Sequence, residues 1–140
     1  MRSWIKRRLA AMRAGWQKIF SCQIPCRHLK TVKFPHPVGI VIGDGARIGR
    51  GVRIYQNVTI GLTENQAGAN EADYPTIGDE VVVYAGAVII GGITIGERSI
   101  IGANAVIRTD IPPDSVAFGY NQWRPRERQV TPTGRSGLPQ

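Results

Sequence analysis

The chain has 140 residues, 42% of them hydrophobic, with a formal net charge of +8 and two cysteines, which bounds it to one domain of ordinary size and excludes a disulfide framework. The charge is uneven: residues 1–43 carry nine Lys/Arg and no acid, residues 44–123 carry five basic and nine acidic groups, and residues 124–140 are net +3. A net acidic middle between basic flanks excludes a nucleic-acid-binding body, and no apolar run approaches the roughly 20 residues of a membrane-spanning helix.

In chain order, residues 1–21 form a basic amphipathic helix. Within residues 2–20, Trp4, Ile5, Leu9, Met12, Trp16 and Ile19 recur at spacings of three and four, which makes one apolar face. That face either caps the end of the following domain or lies as a peripheral helix on an anionic membrane surface. The segment lacks the apolar stretch and cleavage site of a secretory signal. The expected location is the cytoplasm, with peripheral contact at the inner membrane face if the helix meets lipid.

Residues 22–123 are a repeat domain. Ile42, Ile48, Ile54 and Ile60 stand six apart; Ile77, Val83, Ile89, Ile95, Ile101 and Ile107 do so again, and several are followed by Gly. A small or β-branched residue sits four later, at Ala46, Val52, Val58, Val81, Ala87 and Ala105. A period of six is neither a helix nor a single strand, so each unit is one short strand plus a turn, with the aliphatic residue inward. Three units close a triangular coil of eighteen residues, and Ile77 and Ile95 stack as one ladder. A sandwich of short strands would space its turns irregularly. His36 falls six before Ile42, on what the grid makes an inward rung. Between Ile60 and Ile77 the step is 17, one short of a full coil, and the polar residues 62–75, LTENQAGANEADYP, are expected as a functional loop at one corner. From Arg124 to residue 140 the sequence is rich in Pro, Gly and Arg and is expected as a disordered tail.

The segments PHPVGIVIGDGARIGRGVRIYQNVTIG and YPTIGDEVVVYAGAVIIGGITIGERSIIGANAVIRTDIPPDSVAFG, over roughly residues 35–119, resemble the serine acetyltransferase branch of the hexapeptide acyltransferases. The resemblance implies an all-β fold, a left-handed parallel β-helix, acting as an acetyl-CoA-dependent O-acetyltransferase. It also implies a homotrimer with its active sites between subunits. By the same resemblance His36 is the base that deprotonates the acceptor hydroxyl, a task that suits an imidazole. Ala85 and Ala103 line the pantetheine groove, Gly61, Gly86 and Gly119 extend its wall, and Arg108 meets the nucleotide phosphates of acetyl-CoA.

Three features depart from the family pattern. No acid precedes Asp44, so the partner that orients His36 is a backbone carbonyl, a later residue or a side chain of the adjacent subunit. Asp73 and Tyr74 stand where the family has an Arg-His pair for the serine substrate. The long N-terminal helical domain is missing. The expected acceptor is accordingly a sugar or polysaccharide precursor bound near Asp73 and Tyr74, with serine as the alternative and a non-catalytic β-helix scaffold as the reading of another class. No metal is expected: a carbonic-anhydrase zinc site on this fold needs three histidines, and Cys22, Cys26 and His28 fall short of four ligands.

Overall fold

The computed structural model describes residue 24, residues 31–63 and residues 68–127. The predicted N-terminal helix, both cysteines and His28 lie outside the described residues. The short strands are β1 (Val41–Ile42), β2 (Arg47–Ile48), β3 (Arg53–Ile54), β4 (Thr59–Gly61), β5 (Thr76–Ile77), β6 (Val82–Val83), β7 (Val88–Ile90), β8 (Thr94–Ile95), β9 (Ile100–Ile101), β10 (Val106–Ile107), β11 (Ser115–Phe118) and β12 (Gln122–Pro125). They fall on three faces. Face A is β1-β4-β7-β10, face B is β3-β6-β9-β11-β12 and face C is β2-β5-β8. Every pair is parallel except β11 with β12. The fold is a left-handed parallel β-helix.

The six-residue grid supplies its core. Ile42, Ile60, Ile89 and Ile107 stack in register up face A, Ile54, Val83 and Ile101 up face B, and Ile48, Ile77 and Ile95 up face C. All are buried except Ile48, which is half-buried. The residues four later fill the corners, and Ala46, Val52, Val58, Val81, Ala87 and Ala105 are fully buried. Burying one such aliphatic chain contributes about 1.5–3 kcal/mol, so the ladders carry most of the stability.

Where adjacent faces meet, the backbone turns through the left-handed region. At the B/A corner Gly39, Asn57, Gly86, Asn104 and Gly119 have φ between 55° and 72°. Asn is the residue after Gly that best tolerates this conformation. A side chain on Gly86 would strike the Asn104 amide above it. At the C/B corner Arg98 adopts φ 58° and grips Asp114 through both of that carboxylate's oxygens at 2.8 and 2.7 Å. Asp114 first, then Glu97, hold its guanidinium protonated above even its usual range.

The register corrects two readings of the spacing. Ile77 is not one coil above Ile60 but on the next face; it pairs with Ile48, 29 residues earlier where 18 is the rule. The loop therefore adds eleven residues between neighbouring strands. His36 is not on an inward rung either. Lys33 bridges Arg53, which puts Phe34 beneath Ile54 against the core, while His36 is exposed. The last coil is shortened, with Ala117 sixteen residues after Ile101. Buried Ser99 and Ser115 replace the aliphatic corner residues there, and the Ser99 hydroxyl donates to Pro112 O at 2.9 Å. β12 pairs with β11 at the sheet edge. Arg124 and Pro125, expected in the irregular tail, belong to this strand.

Candidate active site

The B/A corner gathers the chemistry. His36 precedes the turn at Gly39, and its Nδ1 lies 3.3 Å from Gln56 Oε1. A carbonyl oxygen only accepts, so in the neutral imidazole this contact puts the proton on Nδ1 and the lone pair on Nε2. The imidazole meets the Tyr55 ring edge to face, with centroids 6.0 Å apart at 74°. Tyr84, one coil up, stacks on Tyr55 at 5.3 Å and 20°. The cause is the repeat: Tyr55 and Tyr84 each follow an inward residue, Ile54 and Val83, which pair across β3 and β6.

Ala85 and Gly86 continue this corner, and Ala103 with Asn104 repeats it one coil higher, where Asn104 N donates to Ala85 O at 2.9 Å. Gly119 lies at the upper end, its carbonyl accepting from Val106 N at 2.7 Å. His36, Gly86, Ala85, Ala103 and Gly119 thus form one edge of the prism. Gly86 serves the turn, being closed over by Asn104.

Gly61 and Arg108 are elsewhere. They follow Ile60 and Ile107 at the ends of β4 and β10, which places them at the A/C corner across face A. Gln56 to Gly61 is five residues, about 16 Å of extended chain. Among the described residues nothing packs within 4 Å of where a side chain on Gly61 would start, so this level of the corner is open. Arg108 is exposed, and its amide donates to the Asn121 side chain at 2.6 Å.

The loop projects from the same A/C corner. A 3-10 turn, Glu71–Asp73, is closed by a capping box in which Asn70 N donates to Asp73 Oδ2 at 2.8 Å. Arg47 ties the turn to β2 through Glu71 at 2.7 Å. Tyr74 is half-buried and lies over Gly43 and Gly45; a methyl on Gly43 would come within 2.6 Å of the ring, and one on Gly45 would overlap it. Within this chain Asp73 closes the loop's 3-10 turn and Tyr74 seats the loop on Gly43 and Gly45. Gly45→Ala is expected to push Tyr74 out and loosen the loop, at about 1–3 kcal/mol of stability. Thermal unfolding together with limited proteolysis between residues 62 and 75 measures it, and an unchanged melting curve and digestion pattern would count against the anchor.

Of the side chains that meet at His36, sequence reasoning missed Tyr55 and Gln56. The signal was present, since Gln56 opens the QNVTIG run that carries the family resemblance. Among the described residues no group of three or more His, Cys, Asp or Glu side chains is placed to hold a metal, and no helix there is long and apolar enough to cross a membrane.

Comparison with known proteins places this edge in context. Residues 74–109 match the bacterial transferase hexapeptide family (six repeats). The serine acetyltransferase of Mycobacterium tuberculosis is 41% identical over 99 residues, 71% of this chain and 42% of the relative. The chain belongs with the hexapeptide-repeat acyltransferases and is serine acetyltransferase-like over the part that it shares with them. The soybean serine acetyltransferase complexed with serine aligns at 42% identity and a TM-score of 0.60, over 66% of this chain and 37% of that one. A serine acetyltransferase in complex with CoA aligns at 35% identity and a TM-score of 0.56, over 63% and 34%. The chain spans less than half the length of the curated serine acetyltransferases it matches.

These relatives overturn the expectation of a sugar acceptor, since proteins at 41% and 45% identity are serine acetyltransferases. Two of the three departures behind that expectation have structural readings. Gln56 occupies the position of partner to His36, and Tyr74 is spent on holding the loop against Gly43 and Gly45.

Proposed function

We propose that this chain transfers the acetyl group of acetyl-CoA to the hydroxyl of serine. The observation that carries the reading is His36, exposed at the B/A corner with Nδ1 engaged by Gln56 and Nε2 available as a base, on a scaffold 41% identical to a serine acetyltransferase. His36 Nε2 removes the hydroxyl proton as the oxygen bonds to the thioester carbon, and the same proton returns to the sulfur as the carbon–sulfur bond breaks. The amides of Gly86 and Asn104 are held by Gln56 O and Ala85 O, so stabilising the oxyanion falls to other backbone amides of the cleft. No covalent enzyme intermediate is involved.

The assembly proposed is a homotrimer. In one protomer the His36 edge and the open Gly61 edge stand on opposite sides of face A. A three-fold arrangement sets the first edge of one prism against the second edge of the next, the head-to-tail contact that closes a ring. The acetyl-CoA groove then lies between subunits, with Ala85 and Ala103 on one wall and Gly61 and Arg108 on the other. Asp73 and the loop face the acceptor across that groove. The exposed Val38 and Val41 beside face A favour such association.

The test is thiol release from acetyl-CoA by the full chain with free serine, run beside a panel of sugars and sugar nucleotides. Serine-dependent CoA release is the expected result. Release with sugars alone would return the acceptor to question, and binding of acetyl-CoA without turnover would favour a scaffold.

A further inference from the structure

Among the described residues no carboxylate is in contact with the His36 imidazole. Its polar contact is a neutral amide, Gln56 Oε1 at 3.3 Å from Nδ1, and its ring contact is Tyr55, with Tyr84 stacked behind. The cations on the adjoining strand positions, Lys33 and Arg53, are paired across face B and exposed. We propose that Gln56 is the positioning residue of His36, fixing the Nδ1–H tautomer and the ring's direction without adding charge. The proposal rests on the acetyltransferase reading for its kinetic consequence but not for its structural one.

The geometry follows from the register. Val38 and Gln56 are corner equivalents, linked by Asn57 N donating to Val38 O at 2.8 Å, while Lys33 pairs with Arg53. Going from the strand to the corner takes five residues on the lower coil, Lys33 to Val38, and three on the upper, Arg53 to Gln56. The two extra residues bulge the chain outward at His36, so its side chain leaves the core and reaches up to the residue at the next corner. Tyr55, braced by Tyr84, then limits rotation of the ring. A neutral acceptor selects the tautomer as a carboxylate does, but it lacks the charge that would stabilise the imidazolium. The acid limb of the pH–rate profile should therefore move when a carboxylate is installed, and that is the discriminating consequence.

The experiment uses the full chain with Gln56→Leu and Gln56→Glu, followed by ¹⁵N NMR of the imidazole nitrogens, with His36→Gln to assign the signals, and by pH profiles of kcat/KM for serine. In the wild type Nδ1 is expected to carry the proton. In Gln56→Leu the ring nitrogens should shift toward a mixture of tautomers, and kcat should fall about tenfold, the rate equivalent of one hydrogen bond, with KM for acetyl-CoA unchanged. In Gln56→Glu activity should return and the acid limb should rise by about one pH unit. A merely structural Gln56 would move neither the tautomer nor the limb. Identical nitrogen shifts in wild type and Gln56→Leu would overturn the proposal whatever the turnover does. A tautomer change in a protein that never acetylates serine would support the positioning role and sink the acetyltransferase reading alone.

Discussion

His36→Ala is expected to lower kcat for serine acetylation by about 10²- to 10⁴-fold, the range lost when a positioned general base is removed. The hydroxyl of the acceptor is a poor nucleophile while it keeps its proton, and His36 is the one imidazole among the described residues. Acetyl-CoA should still bind with KM nearly unchanged, because the proposed groove walls at Ala85 and Ala103 lie two and three coils above the histidine. Stability should hardly move either. The ring is exposed and off the inward rung, which Phe34 fills, so removing it opens no core cavity. An inward histidine at the six-residue grid position would instead have cost core packing. Steady-state kinetics beside thermal unfolding separates the two cases. Turnover retained within tenfold would remove His36 from its assigned role, and a large loss of stability would restore it to the core.

The ladders were legible because every inward position is specified locally. A residue six along faces the interior of the next side, so Ile42 through Ile60 and Ile77 through Ile107 declare themselves by period alone. What broke the reading was insertion. Two extra residues between Lys33 and Val38 moved His36 from rung to corner, and eleven in the loop put Ile77 on a new face; counting cannot distinguish a slip from an added segment unless the strand pairing is known. Contacts across coils were hidden for the same reason. Gln56 meets His36 across twenty residues rather than eighteen, and Tyr74 reaches back about thirty to Gly43 and Gly45. The choice of a sugar acceptor failed differently. It rested on residues that are missing, and a missing carboxylate says nothing about which other group has taken over its hydrogen bond.

Ile89→Ala is expected to destabilise the fold by about 2–5 kcal/mol, the cost of a large-to-small change at a sealed core site, where the lost transfer energy adds to that of the cavity. Ile89 is fully buried in β7 and pairs upward with Ile107 and downward with Ile60. The backbone around it is pinned: Thr59 N donates to Ala87 O at 2.9 Å and Val88 N to Ala105 O at 2.8 Å. Neighbouring coils therefore cannot close over the void. In a solenoid each coil is stabilised chiefly by its two neighbours, so a middle rung weakens two interfaces and an end rung one. Ile42→Ala, at the lower end of the same ladder, should accordingly cost less than Ile89→Ala, although both residues are buried to within 2%. Ile89→Val, which keeps the branch and loses one methyl, should cost about 0.5–1.5 kcal/mol. Against a typical domain stability of about 5–15 kcal/mol the alanine change alone is enough to unfold a marginal chain at elevated temperature. Urea unfolding of the three variants at one protein concentration tests the order. Equal losses at Ile42 and Ile89 would mean that the prism does not transmit stability coil by coil, and that its edges are held by something beyond the ladder.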